Sequence, residues 1–225
     1  MTSMPPPRNP HSPVAWTVVV PVKSAPAAKS RLAPAVPDDA RAVLARAFAL
    51  DTIAAALGAA SVSRVIVVGD DPTLAGGAEF VHEPTGEGAE RGLSAAIRLG
   101  VAHARADAAV AVAVLLGDLP ALRSEELDGA LAAAARHPLA FVRDADGTGS
   151  TLATADVDVD FEPRFGPDSA ARHAAAGFVE LAASALPGLT RDVDTVDGLE
   201  TVLHHGVGDH TAEAVARLAD RKGSS

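Results

Sequence analysis

Hydrophobic and polar positions along this chain alternate between two kinds of segment. Short, mainly apolar runs rich in Val occur at Trp16–Val22, Arg64–Val68 and Ala109–Leu116. Such runs are typical of strands that are buried on both faces of a parallel sheet. Between them lie longer stretches with apolar residues at helical spacing, the first from about Asp38 to Leu57. This alternation indicates βαβ units around a mostly parallel sheet, and therefore predicts an α/β fold.

The rest of the chain continues this pattern, less regularly from Arg143 on. Four short strands are predicted, at Phe80–Val81, Leu139–Val142, Ser150–Thr154 and Leu189–Val193. Further helices are expected over about 93–105, 124–136, 169–181, 197–205 and 210–221, with Asp38 or Asp39 capping the first helix of the chain and Ser124 a later one. Ligands of parallel α/β sheets bind beyond the carboxyl ends of the strands, so residues that directly follow strands are the candidates for function.

The ends of the chain set the domain boundaries. Residues 1–14 are rich in Pro and lack the apolar core of a signal peptide, so we expect a disordered tail followed by one domain over 15–222. No apolar run approaches the roughly 18 residues that a membrane span requires. The absence of Cys excludes disulfides and thiolate chemistry. We therefore expect a cytoplasmic protein that does not insert into a membrane.

Charge is distributed unevenly along the chain. The net charge of −10 argues against a nucleic-acid partner. Residues 1–50, however, hold six basic residues against two acidic ones, and two of the three lysines, Lys23 and Lys29, lie in one loop that follows the first strand. With Ser24 and Arg31, this basic loop suits the binding of a triphosphate, although an ordinary solvated loop is the alternative. It has no GxxxxGK[ST] pattern and is not a P-loop.

Acidic residues stand at two other strand ends. The turn Gly117–Pro120 follows a buried apolar run and carries Asp118, whose carboxylate could hold Mg²⁺. Capping of the next helix is the alternative role, although Ser124 is better placed for it. Asp192 and Asp194 alternate at the end of the last predicted strand and should share one face, where they could complete a metal site with Asp118. A solvent-facing acidic edge is the alternative for this pair.

Five segments together carry a resemblance to a known family: PVKSAPAAKSRL (Pro21–Leu32), GDLP (Gly117–Pro120), DGTGST (Asp146–Thr151), RFGPDSAARH (Arg164–His173) and RDVDT (Arg191–Thr195). Over about residues 16–205 the sequence resembles the guanylyltransferases of coenzyme F-420 biosynthesis, which use GTP to guanylylate phosphoenolpyruvate or 2-phospho-L-lactate. The first two segments alone indicate only the broader nucleotidyltransferase fold. DGTG followed by FGPDS is the more specific combination.

The resemblance implies a single-domain, three-layer α/β/α fold with a mostly parallel mixed sheet, like that of the nucleotide-diphospho-sugar transferases and GT-A enzymes. It also implies that the basic loop meets the phosphates of GTP, with Lys23 and Lys29 in catalytic roles beside Ser24 and Arg31. A monomer or a homodimer is compatible with this assignment.

The same resemblance assigns Asp118 a catalytic role as a ligand of Mg²⁺, with Asp194 and also Asp192 as further ligands. Gly92 and Ser94 would contact the nucleoside of GTP. Relatives often carry Asn where this chain has Ser94, and a hydroxyl offers fewer hydrogen-bonding groups than an amide. The contact to the nucleoside is therefore the point at which this chain departs from the family pattern.

Thr151, Gly166 and Ser169 would bind the acceptor. Ser169 is predicted to begin a helix, where free backbone N–H groups attract an anion, and Gly166 allows close approach of the backbone. Both side chains are small hydrogen-bond donors, and neither position is expected in the core.

These inferences predict a guanylyltransferase that joins GTP to a small phosphorylated acid and releases diphosphate. Sixteen Arg against three Lys, with abundant Ala, suggest a GC-rich genome and favour phosphoenolpyruvate over 2-phospho-L-lactate. A related nucleotidyltransferase acting on a sugar phosphate or on a molybdopterin cofactor is one alternative. A non-catalytic regulatory module that binds nucleotide is another, although the three aspartates argue against it.

Overall fold

The computed structural model describes residues 15–22, 36–84 and 92–223 and has one seven-stranded sheet at its centre. The strands are β1 (Trp16–Pro21), β2 (Val62–Gly69), β3 (Glu79–His82), β4 (Ala111–Leu115), β5 (Leu139–Arg143), β6 (Ser150–Ala155) and β7 (Val179–Glu180). Their order is β3-β2-β1-β4-β6-β5-β7. Neighbours pair in parallel except for β6, which runs antiparallel to β4 and β5. The sheet is thus mixed and mostly parallel, as predicted.

Helices cover both faces of this sheet. They are α1 (Asp38–Gly58), α2 (Leu93–Ala104), α3 (Ser124–Ala134), α4 (Ser169–Ala175), α5 (Pro187–Thr190), α6 (Val196–His205) and α7 (Asp209–Gly223), besides a 3-10 helix at Pro72–Leu74. One hydrophobic core contains Ile53 of α1 and Leu127 of α3, and a second contains Ile97 of α2 and Ala170 of α4. The predicted three-layer α/β/α arrangement is therefore confirmed. A smaller cluster joins α1 to α6 and α7.

The central strand β1 shows why its sequence is almost continuously apolar. Val18 and Val20 belong to the core on the α1 side, whereas Val19 belongs to the core on the α2 side, and all three are fully buried. Alternate side chains thus enter different cores, which explains why the strand is apolar at nearly every position, with Thr17 its one polar residue. On the α2 side the helix approaches β1 so closely that a Cβ on Gly100 would lie 2.4 Å from Val19 Cγ1.

Two predicted elements are wrong. Residues 189–193 do not form a strand, because Pro187 begins the short helix α5 and the chain after Thr190 is irregular. The helix expected over 169–181 ends at Ala175, since Gly177 adopts a positive φ of 87°. The chain then turns back to form β7, whose parallel pairing with β5 occupies the sheet edge.

The predicted helix caps are also wrong. Pro37 precedes α1 without any side-chain cap, and the Asp38 carboxylate instead accepts a hydrogen bond of 2.8 Å from Arg41. Ser124 begins α3, as predicted, but Arg123 takes the N-cap position, and the Ser124 hydroxyl donates to the Ala55 carbonyl at 2.9 Å. Asp38 therefore forms an ion pair within α1, and Ser124 forms a hydrogen bond to α1, and neither side chain caps its own helix.

Three predicted features fall on other parts of the chain. The Pro-rich tail, the basic loop from residue 23 to 35 and the glycine-rich stretch at 85–91 lie outside the described residues. Among the helices that the structure describes, none combines the length and the apolar composition that crossing a bilayer demands.

Candidate active site

The ends of three strands meet at the carboxyl edge of the sheet. The Val22 N–H, just after β1, donates to the Val68 carbonyl of β2 at 2.8 Å. A Cβ on Gly117, which follows β4, would lie 3.3 Å from Val22 Cγ2, and one on Gly69 would lie 2.5 Å from the Val22 carbonyl oxygen. Glycine at both positions therefore allows the strand ends to come this close.

The basic loop departs from this convergence point, because Val22 is the residue directly before it. Lys23, Ser24, Lys29 and Arg31 themselves lie outside the described residues, so their contacts with GTP stay predictions. Val22 nevertheless packs against Gly117, so the last residue before the basic loop lies beside the turn that carries Asp118.

Asp118, Asp192 and Asp194 come together as one carboxylate cluster. One carboxylate oxygen of each lies within 4.8 Å of those of the other two, and all three residues are half-buried. The Val193 N–H donates to the Asp118 carbonyl at 3.1 Å, and the Val193 side chain is fully buried. The predicted grouping is therefore present, although a single buried Val in an irregular segment, and not a strand, brings the two aspartates to Asp118.

This carboxylate cluster fits a divalent cation. Mg²⁺ binds carboxylate oxygens at about 2.1 Å, so two ligands of one ion lie up to about 4.2 Å apart. A separation of at most 4.8 Å between the oxygens of the cluster needs only small side-chain rotations to reach that geometry. Hard oxygen ligands also suit Mn²⁺ and Ca²⁺, so the donor set indicates the class of ion without selecting Mg²⁺.

A tight turn before β6 is organised by Asp144, which the sequence did not single out. Its carboxylate accepts the N–H groups of Thr148 at 3.0 Å and Gly149 at 2.7 Å. A Cβ on Gly149 would lie only 2.2 Å from Asp144 Oδ2, so this carboxylate requires glycine there. Asp before a glycine-rich stretch is a known turn signal, and it could have identified Asp144. The Ala145 N–H binds the Thr190 carbonyl at 2.8 Å, which links the turn to the segment before Asp192.

Thr151 and Ser169 are buried, contrary to the expectation that neither belongs to the core. Their relative exposures are 0% and 2%. The Thr151 carbonyl accepts the Leu116 N–H at 3.0 Å, so the Thr151 backbone lies beside the segment that leads to Asp118 two residues later. Its hydroxyl has no hydrogen-bond partner among the described residues. A buried hydroxyl without a partner costs free energy, and a bound ligand would remove that cost.

The start of α4 differs from the predicted anion site. The Ser169 N–H is already bonded to the Gly166 carbonyl and the Ala170 N–H to the Thr148 carbonyl, each at 3.1 Å, so these two groups are not free. Gly166 adopts a φ of 108°, which strongly favours glycine. A Cβ there would lie 3.7 Å from Arg172 Nη1, which means that an exposed guanidinium borders this loop.

His173 is the central buried polar group behind this loop. It is fully buried among the rings of Phe141, Phe165 and Phe178, with centroid distances of 4.9 to 5.5 Å. Its Nδ1 lies 3.0 Å from the Ser150 hydroxyl, which ties α4 to β6. Burial lowers the pKa of His173 from 6.5 to about 4, so the imidazole is neutral at neutral pH. Sequence reasoning missed this residue because a lone His on a short helix has no distinguishing pattern.

Gly92 and Ser94 stand at the start of α2. Gly92 adopts a φ of 106°, and Ser94 lies half-buried in the first turn of the helix. A helix that connects two parallel strands runs antiparallel to them, so the start of α2 lies toward the carboxyl edge of the sheet. This is the edge that also carries Asp118 and Val22.

Comparison with known proteins agrees with this architecture. The family model described as the MobA-like NTP transferase domain matches residues 38–208. Relatives named phosphoenolpyruvate guanylyltransferase include one from Streptomyces scabiei (strain 87.22), which is 49% identical over 209 residues, or 90% of this chain and 97% of that protein. Another, from Geodermatophilus obscurus, is 49% identical over 215 residues, or 91% of this chain and 96% of that protein.

The fold has solved counterparts. A protein of Desulfovibrio desulfuricans G20 that has been assigned to the nucleotide-diphospho-sugar transferases superposes with a TM-score of 0.63 at 18% identity. The match covers 84% of this chain and 86% of that one, which supports the predicted fold and carries no information about substrate. The chain belongs to the MobA-like NTP transferase family and, within it, to the phosphoenolpyruvate guanylyltransferases.

Proposed function

We propose that this nucleotidyltransferase transfers GMP from GTP to phosphoenolpyruvate and releases diphosphate, as a step of coenzyme F-420 biosynthesis. The names of its relatives support this acceptor. The observation that carries the proposal is the carboxylate cluster of Asp118, Asp192 and Asp194 at the sheet edge from which the basic loop departs. A cation site beside a basic loop is the combination that a nucleoside triphosphate requires.

The reaction needs no covalent nucleophile on the enzyme. A phosphate oxygen of phosphoenolpyruvate attacks the α-phosphorus of GTP in line, and the bond from that phosphorus to the bridging oxygen of diphosphate breaks. Diphosphate leaves with the electron pair of this bond. The acceptor phosphate is largely ionised at pH 7, so no side chain has to remove a proton. The protein's task is to hold two polyanions together and to offset their repulsion.

Mg²⁺ held by Asp118, with Asp192 and Asp194, would offset charge on the triphosphate and on the departing diphosphate. Cationic side chains of the basic loop would share this role, with Lys23 and Lys29 in catalytic roles. Contacts with the nucleotide are assigned to Lys23, Ser24, Lys29, Arg31, Gly92 and Ser94.

We assign the acceptor to Thr151 on β6 and to Gly166 and Ser169 at the start of α4. The unpartnered Thr151 hydroxyl supports this assignment, since it could donate a hydrogen bond to an oxygen of an anionic ligand. Ser169 adds a second hydroxyl. Gly166, whose positive φ favours glycine, has no side chain that could obstruct a ligand at that position. Arg164 and Arg172 supply positive charge here. Their charges help to lower the pKa of His173, which shows that both lie near this part of the molecule.

Diphosphate release from GTP tests the proposal directly. Purified enzyme with GTP and Mg²⁺ would be offered phosphoenolpyruvate, 2-phospho-L-lactate, a sugar 1-phosphate or molybdopterin, and the product phosphoanhydride would be identified by phosphorus NMR. We expect phosphoenolpyruvate to give the fastest release, and ATP in place of GTP to give much less. Asp118→Asn should abolish release. The matched control is Asp197→Asn, because Asp197 is exposed on α6 and lies outside the cluster.

Other outcomes would point elsewhere. Fastest release with a sugar phosphate or molybdopterin would assign the enzyme to a related branch of the family. Binding of GTP without release for any acceptor would indicate a regulatory module. Equal activity of the Asp118→Asn and Asp197→Asn variants would remove Asp118 from the site.

A further inference from the structure

Thr52 of α1 makes a buried contact with the turn that carries Asp118. The residue is fully buried, and its hydroxyl donates to the Phe48 carbonyl at 2.8 Å. The same hydroxyl accepts the Leu119 N–H at 3.0 Å. That N–H belongs to the peptide bond between Asp118 and Leu119, so Thr52 holds the backbone directly beside the carboxylate.

The neighbouring residue Asp51 holds the start of α7. It is 6% exposed, and its carboxylate accepts the N–H groups of His210 at 3.0 Å and Thr211 at 2.8 Å. Because these N–H groups have no partner within a helix, the carboxylate both satisfies them and complements the helix dipole. Asp51 therefore fixes where the C-terminal helix begins.

The segment that Asp51 holds returns to the same turn. The Gly208 N–H donates to the Pro120 carbonyl at 2.9 Å, two residues after Asp118. A Cβ on Gly208 would lie 2.4 Å from the Asp51 carboxylate, so glycine lets the two segments pack directly together. Thr52 thus contacts the turn at residue 119, and Asp51 acts through residues 208–211 on residue 120.

We propose that Asp51 and Thr52 are positioning residues of the metal site, and that the linker before α7 is part of its support. This inference rests on the proposed role of Asp118 as a metal ligand. A metal-binding carboxylate has to be held within about 0.5 Å of its productive position, and backbone contacts beside it are one way to do so. Residues that orient ligands in this way commonly affect metal affinity without touching the ion.

Mn²⁺ binding, followed by the EPR signal of the free ion, tests the inference without relying on turnover. Mn²⁺ is the probe because it takes the same hard oxygen ligands as Mg²⁺. Thr52→Val keeps the shape and removes the hydroxyl, and we expect Mn²⁺ to bind about three- to ten-fold more weakly, as for loss of one neutral hydrogen bond. Thr52→Ser keeps the hydroxyl and should restore affinity to within about two-fold of the wild type.

The matched control is Thr154→Val. Thr154 is 1% exposed and donates to the Ala140 carbonyl at 3.3 Å, within β6 and away from the turn. Both Val variants should lose stability in urea, but only Thr52→Val should bind Mn²⁺ more weakly. Steady-state kinetics should show the same split: only Thr52→Val should need more Mg²⁺, and the KM for phosphoenolpyruvate should be unchanged in both variants.

The possible results separate this inference from the proposed function. If the wild type and Asp118→Asn bind Mn²⁺ equally, the metal site itself is wrong. If the wild type binds Mn²⁺ more tightly than Asp118→Asn but Thr52→Val matches the wild type, the positioning role is wrong. Should Thr52→Val fail to fold, Asp51→Asn is the deciding variant. Weaker Mn²⁺ binding by Asp51→Asn would then support the inference, and unchanged binding would overturn it.

Discussion

Replacing His173 with Phe should remove a defined part of the protein's sensitivity to acid. The imidazole is fully buried against three Phe rings, so a fourth ring fits the chemistry of its surroundings. Burial is the main reason that the pKa of His173 falls from 6.5 to about 4. The charges of Arg172 and Arg164 add to this effect, whereas a hydrogen bond to the Ser169 backbone opposes it.

The sign and the size of the effect follow from proton linkage. Between pH 6.5 and about 4 the unfolded chain binds a proton at residue 173 that the folded chain does not bind. The contribution of His173 to folding stability is therefore fully present above pH 6.5, and it declines as the pH falls through this interval. With these two pKa values, the free energy of unfolding at pH 5.0 should be about 2 kcal/mol lower than at pH 7.5 because of this group alone.

Urea unfolding at pH 7.5 and pH 5.0 measures this difference. The wild type should lose about 2 kcal/mol more stability than His173→Phe over this change, since other titrating groups contribute equally to both proteins. Ser150→Ala serves as the control, because it removes the hydroxyl beside Nδ1 but keeps the imidazole, and its loss should match the wild type. Equal losses in the wild type and His173→Phe, with unchanged m-values, would refute the depressed pKa.

Three further predictions concern the substrates. Asp118→Asn should abolish turnover with the fold intact by circular dichroism, and near-normal activity at saturating Mg²⁺ would argue against its metal role. Lys23→Ala and Lys29→Ala should each raise the GTP constant about ten- to a hundred-fold, as for loss of a charge-assisted contact of about 1.5–3 kcal/mol, and equal weakening of the acceptor would contradict this. Thr151→Ala and Ser169→Ala should raise the acceptor constant a few-fold to about ten-fold at fixed GTP; unchanged constants would place the acceptor elsewhere.

The sequence by itself determined the class of fold and the general location of the chemistry. Short apolar runs rich in β-branched residues, such as that of β1, are typical of strands covered on both faces, and the two cores that share β1 confirm this interpretation. The same logic identified the turn at Asp118, because a carboxylate directly after a buried strand reaches the carboxyl edge of the sheet. Both inferences depend on residues that are close in sequence.

Only the tertiary structure decided how the acidic residues meet. Residues 189–193 have strand-like composition, yet Pro187 begins a short helix and the edge beside β5 is occupied by β7. Asp192 and Asp194 reach Asp118 because Val193 is buried and bonds to the Asp118 carbonyl. The sequence therefore predicts correctly that the three aspartates lie together, although it predicts a strand where the chain is irregular.

The supporting residues were out of reach of sequence reasoning for the same physical reason. Thr52 and Leu119 are 67 residues apart, and Asp51 lies 159 residues from His210. Periodicity reports which side of a helix or strand is buried, but it carries no information about which distant backbone group a buried hydroxyl or carboxylate will meet. The burial of Thr151 and Ser169 was missed for this reason as well, because it arises from the packing of segments that are distant in sequence.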